Sequence, residues 1–226
     1  MSDESPAPTA AGPRWWVVAL VLVAVAGLAF AIGRFSTFGA QAPSTAPGSS
    51  SAEAGFARDM QVHHAQAIEM AMEIYRKTDD DELRVLAYDI ATGQAGQRGE
   101  MFDWLVQWGL PQAGEPMMSW MAASEEGHDP GAAPGEALSD EQARQAMGMA
   151  SDADLDALAA ATGSEADCLF LELMIRHHEG AVPMADAALE LAAEPRVLAV
   201  AESIRAGQTA EIAAMQSMQE RLGCRA

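Results

Sequence analysis

Met60, His63, His64 and Met70 recur as Met174, His177, His178 and Met184, each residue 114 positions after its mate. Four of the five histidines of the chain lie in these two doublets. Imidazole and thioether groups are metal ligands, and thioether suits copper(I) far better than zinc or iron. The rival reading is packing, because a methionine on an apolar helix stripe is more often core filler than ligand. Adjacent histidines are harder to absorb that way. On a helix they diverge by about 100°, and each imidazole buried without a partner costs on the order of 1–3 kcal/mol. The doubled doublet therefore points to a metal or ligand site.

The elements that must position these groups are themselves duplicated. Seven of the sixteen positions in 56–71 are identical to their mates in 170–185. The register continues, with Ala87, Ile90, Gly93, Gln94 and Met101 matching Ala201, Ile204, Gly207, Gln208 and Met215. A repeat of this length is a structural unit and is read before any single motif. Phe56, Met60, His63, His64, Ala67, Ala71 and Ile74 fall on one broad helical stripe. Residues 81–108 carry a second helical pattern, with Asp79, Asp80 and Asp81 as turn and capping residues between the two. In the second copy Glu194–Pro195 breaks the chain at the corresponding place, since proline suits a helix start but not its interior. Each copy predicts a helical hairpin, and two hairpins predict an all-α four-helix bundle.

Turns near residues 79–80 and 194 level His63–His64 with Gln97, Met60 with Met101, His177–His178 with Glu211, and Met174 with Met215. Both copies are expected to pool imidazole and sulfur at one interior point. Gln94, Gln97, Gln208 and Glu211 are expected at the same depth, orienting the imidazole tautomers. Cys168 precedes the third helix and Cys224 follows the fourth, so an antiparallel hairpin brings them within disulfide reach.

The domain organisation surrounds this bundle. Residues 1–14 form a short N-terminal segment, followed by an apolar run over 15–34 whose stretch Trp15–Ile32 carries no charge. Eighteen such residues are about enough to span a bilayer as a helix. A signal peptide cut near Ala40–Gln41–Ala42 is the competing reading, but the apolar run is long for one, and an uncleaved single-pass anchor fits better. Residues 35–52 are rich in proline, serine, alanine and glycine and read as a tether. The bundle domain takes 53–226, with hairpin 1 over 53–108, a crossover over 109–165 and hairpin 2 over 166–226. The crossover holds short helices near Ser139–Met149 and Asp152–Ala161, methionines 117, 118, 121, 147 and 149, and His128 in a glycine- and proline-rich loop. So long a link allows a pseudo-two-fold relation between the hairpins, as in ferritin-like bundles. With 13 basic against 33 acidic residues the net charge is −20. That balance argues against a nucleic-acid partner and favours accumulation of cations.

The pattern F-x3-M-x2-HH-x5-MA in both halves, each followed by I-x3-Q-x6-M, resembles the bacterial domain-of-unknown-function-305 family over about residues 52–225. The resemblance implies a ferritin-like bundle, export from the cytoplasm, and similarity to periplasmic copper-binding proteins. It makes Met60, His63, His64, Met70, Met101, Met174, His177, His178, Met184 and Met215 the implied ligand candidates.

Di-iron chemistry in such bundles uses carboxylates and paired Glu-x-x-His motifs, and none of the four doublet histidines has a glutamate three residues before it. Its acidic positions also break the repeat, with Arg58 matched by Glu172, Asp59 by Leu173 and Glu69 by Pro183. The sequence thus supports an extracytoplasmic protein, held to the bacterial membrane by its N-terminal helix, that sequesters or delivers copper as Cu(I) without catalysis. A small metal-dependent oxidase using the same pocket and a metal-free envelope adaptor are the alternatives. A second copy of the chain or a copper-handling protein would be the natural protein partner.

Overall fold

The computed structural model describes residues 46–124 and 138–224. The apolar run at 15–34, the tether up to residue 45 and His128 lie outside these residues. The architecture below is that of the unit 47–226. Among the described residues, secondary structure is entirely helical, and no helix is long and apolar enough to cross a membrane.

Four long helices dominate: α1 (Ala52–Lys77), α2 (Asp81–Gln107), α5 (Gly163–Leu191) and α6 (Pro195–Leu222). The crossover contributes a 3-10 turn (Ser119–Ala123) and two short helices, α3 (Asp140–Ala146) and α4 (Asp152–Ala160). Local chemistry sets these boundaries. Ser51 caps α1 by accepting from the Ala54 N–H at 3.3 Å, and Asp80 caps α2 by accepting from the Leu83 N–H at 2.9 Å. Reciprocal capping boxes start α3 at Ser139/Gln142 and α4 at Ser151/Asp154. Pro195 opens α6, and Gly223 closes it in the left-handed region that residue type favours, at φ 70°.

The helices pair as α1–α2 and α5–α6 hairpins, joined through a central α1–α5 contact. Two apolar clusters fill the interior, and the repeat is divided between them. Phe56, Met60, Met101, Ala181, Met184, Ala185, Ala201 and Ile204 belong to one. Their mates Phe170, Met174, Met215, Ala67, Met70, Ala71, Ala87 and Ile90 belong to the other. Exchange of every pair between clusters is what a pseudo-two-fold axis through the α1–α5 contact produces. Because Met60 groups with Met184 and Met70 with Met174, α1 and α5 run antiparallel where they cross.

The crossover is pinned at several points. Asp59 accepts from the Met118 N–H at 2.7 Å and from Trp120 Nε1 at 2.9 Å, while burial pushes its carboxyl above the ordinary value. The Trp120 ring meets Phe56 edge-on at 5.9 Å. It can do so because residue 55 is glycine; a Cβ there would stand 2.4 Å from the indole. Lys77 donates to the carbonyls of Leu158, Ala159 and Ala161, tying α4 to the end of α1. Cys168 and Cys224 are joined in a disulfide with a Cα–Cα distance of 5.4 Å, across the open end of the second hairpin. At the same end Arg221 donates to both oxygens of Asp80 at 2.7 and 2.8 Å. Those hydrogen bonds hold the Asp80 carboxyl down at about 2.

Candidate metal centre

The imidazoles of His63, His64, His177 and His178 are all fully buried. Helix α1 supplies the first doublet and α5 the second, and the α1–α5 crossing brings them into one layer. His63 and His177 stack with ring centroids 3.6 Å apart and planes 32° apart. His64 and His178 flank them, with centroids 6.3 and 6.2 Å from their own neighbours in the doublet. Burial drives His63 down to about 3 and His64 down to about 4, and the like charges each would feel from other histidines push the same way. His177 is likewise held well below its usual value by burial and by His63. These three rings are neutral at physiological pH, the form that binds metals.

Each of three rings donates from the same nitrogen. His63 Nε2 lies 3.0 Å from the Met147 carbonyl, His64 Nε2 2.8 Å from Gln97 Oε1, and His178 Nε2 2.6 Å from Glu211 Oε2. A carbonyl or carboxylate oxygen can only accept, so each of these nitrogens carries the proton and the lone pair falls to Nδ1. The Nδ1 atoms of all four histidines, and Nε2 of His177, are buried without a hydrogen-bond partner. An N–H anchored to an oxygen acceptor, with the other nitrogen free, is how proteins prepare an imidazole for a metal.

The sulfur atoms are distributed differently from the sequence expectation. Met60, Met101 and Met184 pack in one apolar cluster, and Met70, Met174 and Met215 in the other, all fully buried. The six repeated methionines therefore fall into two apolar clusters instead of one. Methionines from one hairpin side with their symmetry-opposite partners, leaving an imidazole layer between two thioether groups. Among the described residues, no three His, Cys, Asp or Glu side chains form a ready ligand cluster, so thioether or a change of ring orientation would complete any coordination shell.

Gln97 and Glu211, which are repeat-mates, orient His64 and His178 as their levels in the hairpins predict. Gln94 and Gln208 do not. Their amides make no hydrogen bond to an imidazole and have no partner at either atom. They sit about one turn earlier on α2 and α6, and they line the gap between these helices.

Sequence reasoning missed the Met147 carbonyl. It reaches His63 because the Met147–Gly148 backbone lies directly on α5. A Cβ on Gly180 would stand 1.9 Å from the Met147 oxygen, and Gly148, at φ 69°, has the Arg176 carbonyl 2.2 Å from where its own Cβ would be. The repeat-mate of Gly180 is Gln66, which instead exchanges two hydrogen bonds with the Ala150 backbone, at 2.9 and 2.7 Å. The trace in the sequence is a helix-interior glycine where the repeat has glutamine. Met121, Met147 and Met149 are buried in the first apolar cluster, with Met117 and Met118 packed against it.

Comparison with solved structures places this architecture. A Streptomyces coelicolor DUF305 protein described as secreted is 37% identical, with a TM-score of 0.67, covering 79% of this chain and 96% of its own. A DUF305 fragment from Deinococcus radiodurans is 33% identical, with a TM-score of 0.60 over 75% and 96% of the two chains. CopM in its Cu(I)-bound form is 27% identical, with a TM-score of 0.53 over 75% and 96%, and it has also been solved in Cu(II)-bound, silver-bound and apo forms. No curated protein matches by sequence. The model of the domain of unknown function DUF305 matches residues 53–219, and the chain belongs to that family.

Proposed function

We propose that this protein binds copper as Cu(I) outside the cytoplasm, in the imidazole layer and its flanking thioethers, and sequesters it or hands it on without catalysis. The observation that carries this reading is the proton placement: three buried imidazoles hold their Nε2–H on oxygen acceptors and leave Nδ1 free. A metal-free core would keep those nitrogens unpaired, at a cost of about 1–3 kcal/mol each. The repeated methionines, buried three to a side in the two apolar clusters, select a soft cation over zinc or iron. The acidic group beside the layer is Glu211, opposite Gln97 in the repeat, a poor basis for a carboxylate-bridged di-iron centre. CopM, 27% identical, is a copper- and silver-bound relative, which supports carrying copper to this chain.

The Cys168–Cys224 disulfide fits an oxidising compartment, as does the secreted description of the Streptomyces relative. The apolar run at 15–34 would then serve as a single-pass anchor, with the tether at 35–52 holding the bundle off the membrane.

Competition titration of the full chain with Cu(I) against a chromophoric chelator tests the proposal. Tight binding that disappears when His63, His64, His177 and His178 are replaced by alanine is expected. Binding that survives those replacements unchanged would overturn it.

A further inference from the structure

Gln94 and Gln208 are 4% and 3% exposed, yet both atoms of each amide lack a partner. Leaving two amides in that state costs free energy that an apolar residue would avoid. Both line a cleft of about 60 Å³ between α2 and α6, room for a few water molecules at about 10–15 Å³ each. The cleft's wall also includes Gln97 and Glu211, the side chains that hold His64 and His178. It is therefore separated from the imidazole layer by one side chain on each helix.

The walls also contain the repeat-mates Gly93 and Gly207. A Cβ at either would meet nothing within 4 Å, so close packing does not require these glycines. Each costs a helix interior about 1 kcal/mol relative to alanine, and what glycine leaves there is open space. Asp89, exposed at the rim, adds a carboxylate to an already acidic surface, which attracts cations. Elsewhere the layer is covered, as where the Met147–Gly148 backbone lies on α5 beside His63.

We infer that the α2–α6 cleft is the route by which a cation reaches the histidine layer, with the oxygens of Gln94, Gln208 and Glu211 replacing its water on the way in. Oxygen donors hold a soft ion weakly, so the ion passes on to nitrogen and sulfur instead of stopping there. This inference rests on the metal-binding reading of the histidines.

The test is stopped-flow mixing of the full chain with Ag(I), which needs no reductant, followed through tryptophan fluorescence and checked by equilibrium titration. The double variant Gly93→Leu/Gly207→Leu fills the mouth without touching a histidine. It should slow both uptake and release by roughly tenfold, within the one to three decades over which association rates vary among related complexes. Because both directions slow together, its equilibrium affinity should match the unmodified protein. Gly99→Leu, also facing open space on α2 but not part of the cleft, should leave the rates unchanged. Gln94→Leu/Gln208→Leu should raise the melting temperature of the metal-free protein. Normal rates in the Gly93→Leu/Gly207→Leu variant would overturn the entry route alone. Failure of the unmodified chain to bind Ag(I) would overturn both the route and the metal-binding reading.

Discussion

The rings of His63 and His177 face each other across the pseudo-two-fold axis at a centroid separation of 3.6 Å, each fully buried. Protonating either would place a charge, fully shielded from solvent, against its symmetry-mate. The closed bundle therefore requires neutral imidazoles at His63 and His177.

A pH dependence follows. His63 falls to about 3 and His64 to about 4 in the folded state, against 6.5 when unfolded. Above the unfolded value both states are neutral, and the stability is fully present. Below it the unfolded chain takes up protons that the bundle refuses, so stability is lost as pH falls from 6.5 towards the folded values. Urea denaturation of the metal-free protein should show a loss on the order of 1–2 kcal/mol per histidine between pH 7 and pH 5. A flat profile over that interval would contradict the burial-driven depression.

Removing an imidazole's anchor should act on affinity more than on fold. Glu211→Leu keeps roughly the size of the side chain but removes the oxygen that accepts from His178 Nε2 at 2.6 Å. Copper(I) affinity is expected to weaken by about 10–100-fold, and Gln97→Leu should do the same through His64. Chelator competition measures both.

Gly180→Ala should be far more damaging than an ordinary glycine-to-alanine change in a helix. The new methyl would collide with the Met147 carbonyl and drive the crossover off α5, taking the acceptor from His63. A loss of about 1–3 kcal/mol is expected from overpacking, plus a similar amount from the orphaned N–H. Chemical denaturation gives the size, and faster proteolysis of the crossover gives the location.

The disulfide closes the second hairpin between residues 56 positions apart. In the chain-entropy view such a loop contributes about 4 kcal/mol, with measured values commonly 2–4. Reduction, or Cys168→Ser/Cys224→Ser, should lower the melting temperature of the metal-free protein. Saturating copper should restore part of it, since a ligand that binds only the folded state stabilises by mass action.

The hairpins, their turns and the levels of Gln97 and Glu211 were legible because they depend on helical period and offset, which are local. The grouping of the methionines was not. Spacing pairs Met60 with Met101 inside one hairpin, but whether Met184 or Met174 joins them depends on the antiparallel crossing of α1 and α5. Gln94 and Gln208 looked like partners for the imidazoles because residues one turn apart share a depth only approximately; they face the cleft instead. The Met147 acceptor was invisible because it is a backbone atom, delivered by a segment with no counterpart in the repeat. Gly180 against Gln66 was its single written sign.

That departure from the repeat makes the two halves chemically unequal. His63 has its tautomer dictated by a main-chain oxygen, whereas both ring nitrogens of His177 are uncommitted. Two separate copies of one hairpin, meeting as identical subunits, would have to treat both histidines alike. Fusion into one polypeptide lifted that constraint, and it lets one imidazole be fixed by the main chain while its twin keeps both ring nitrogens free of hydrogen bonds.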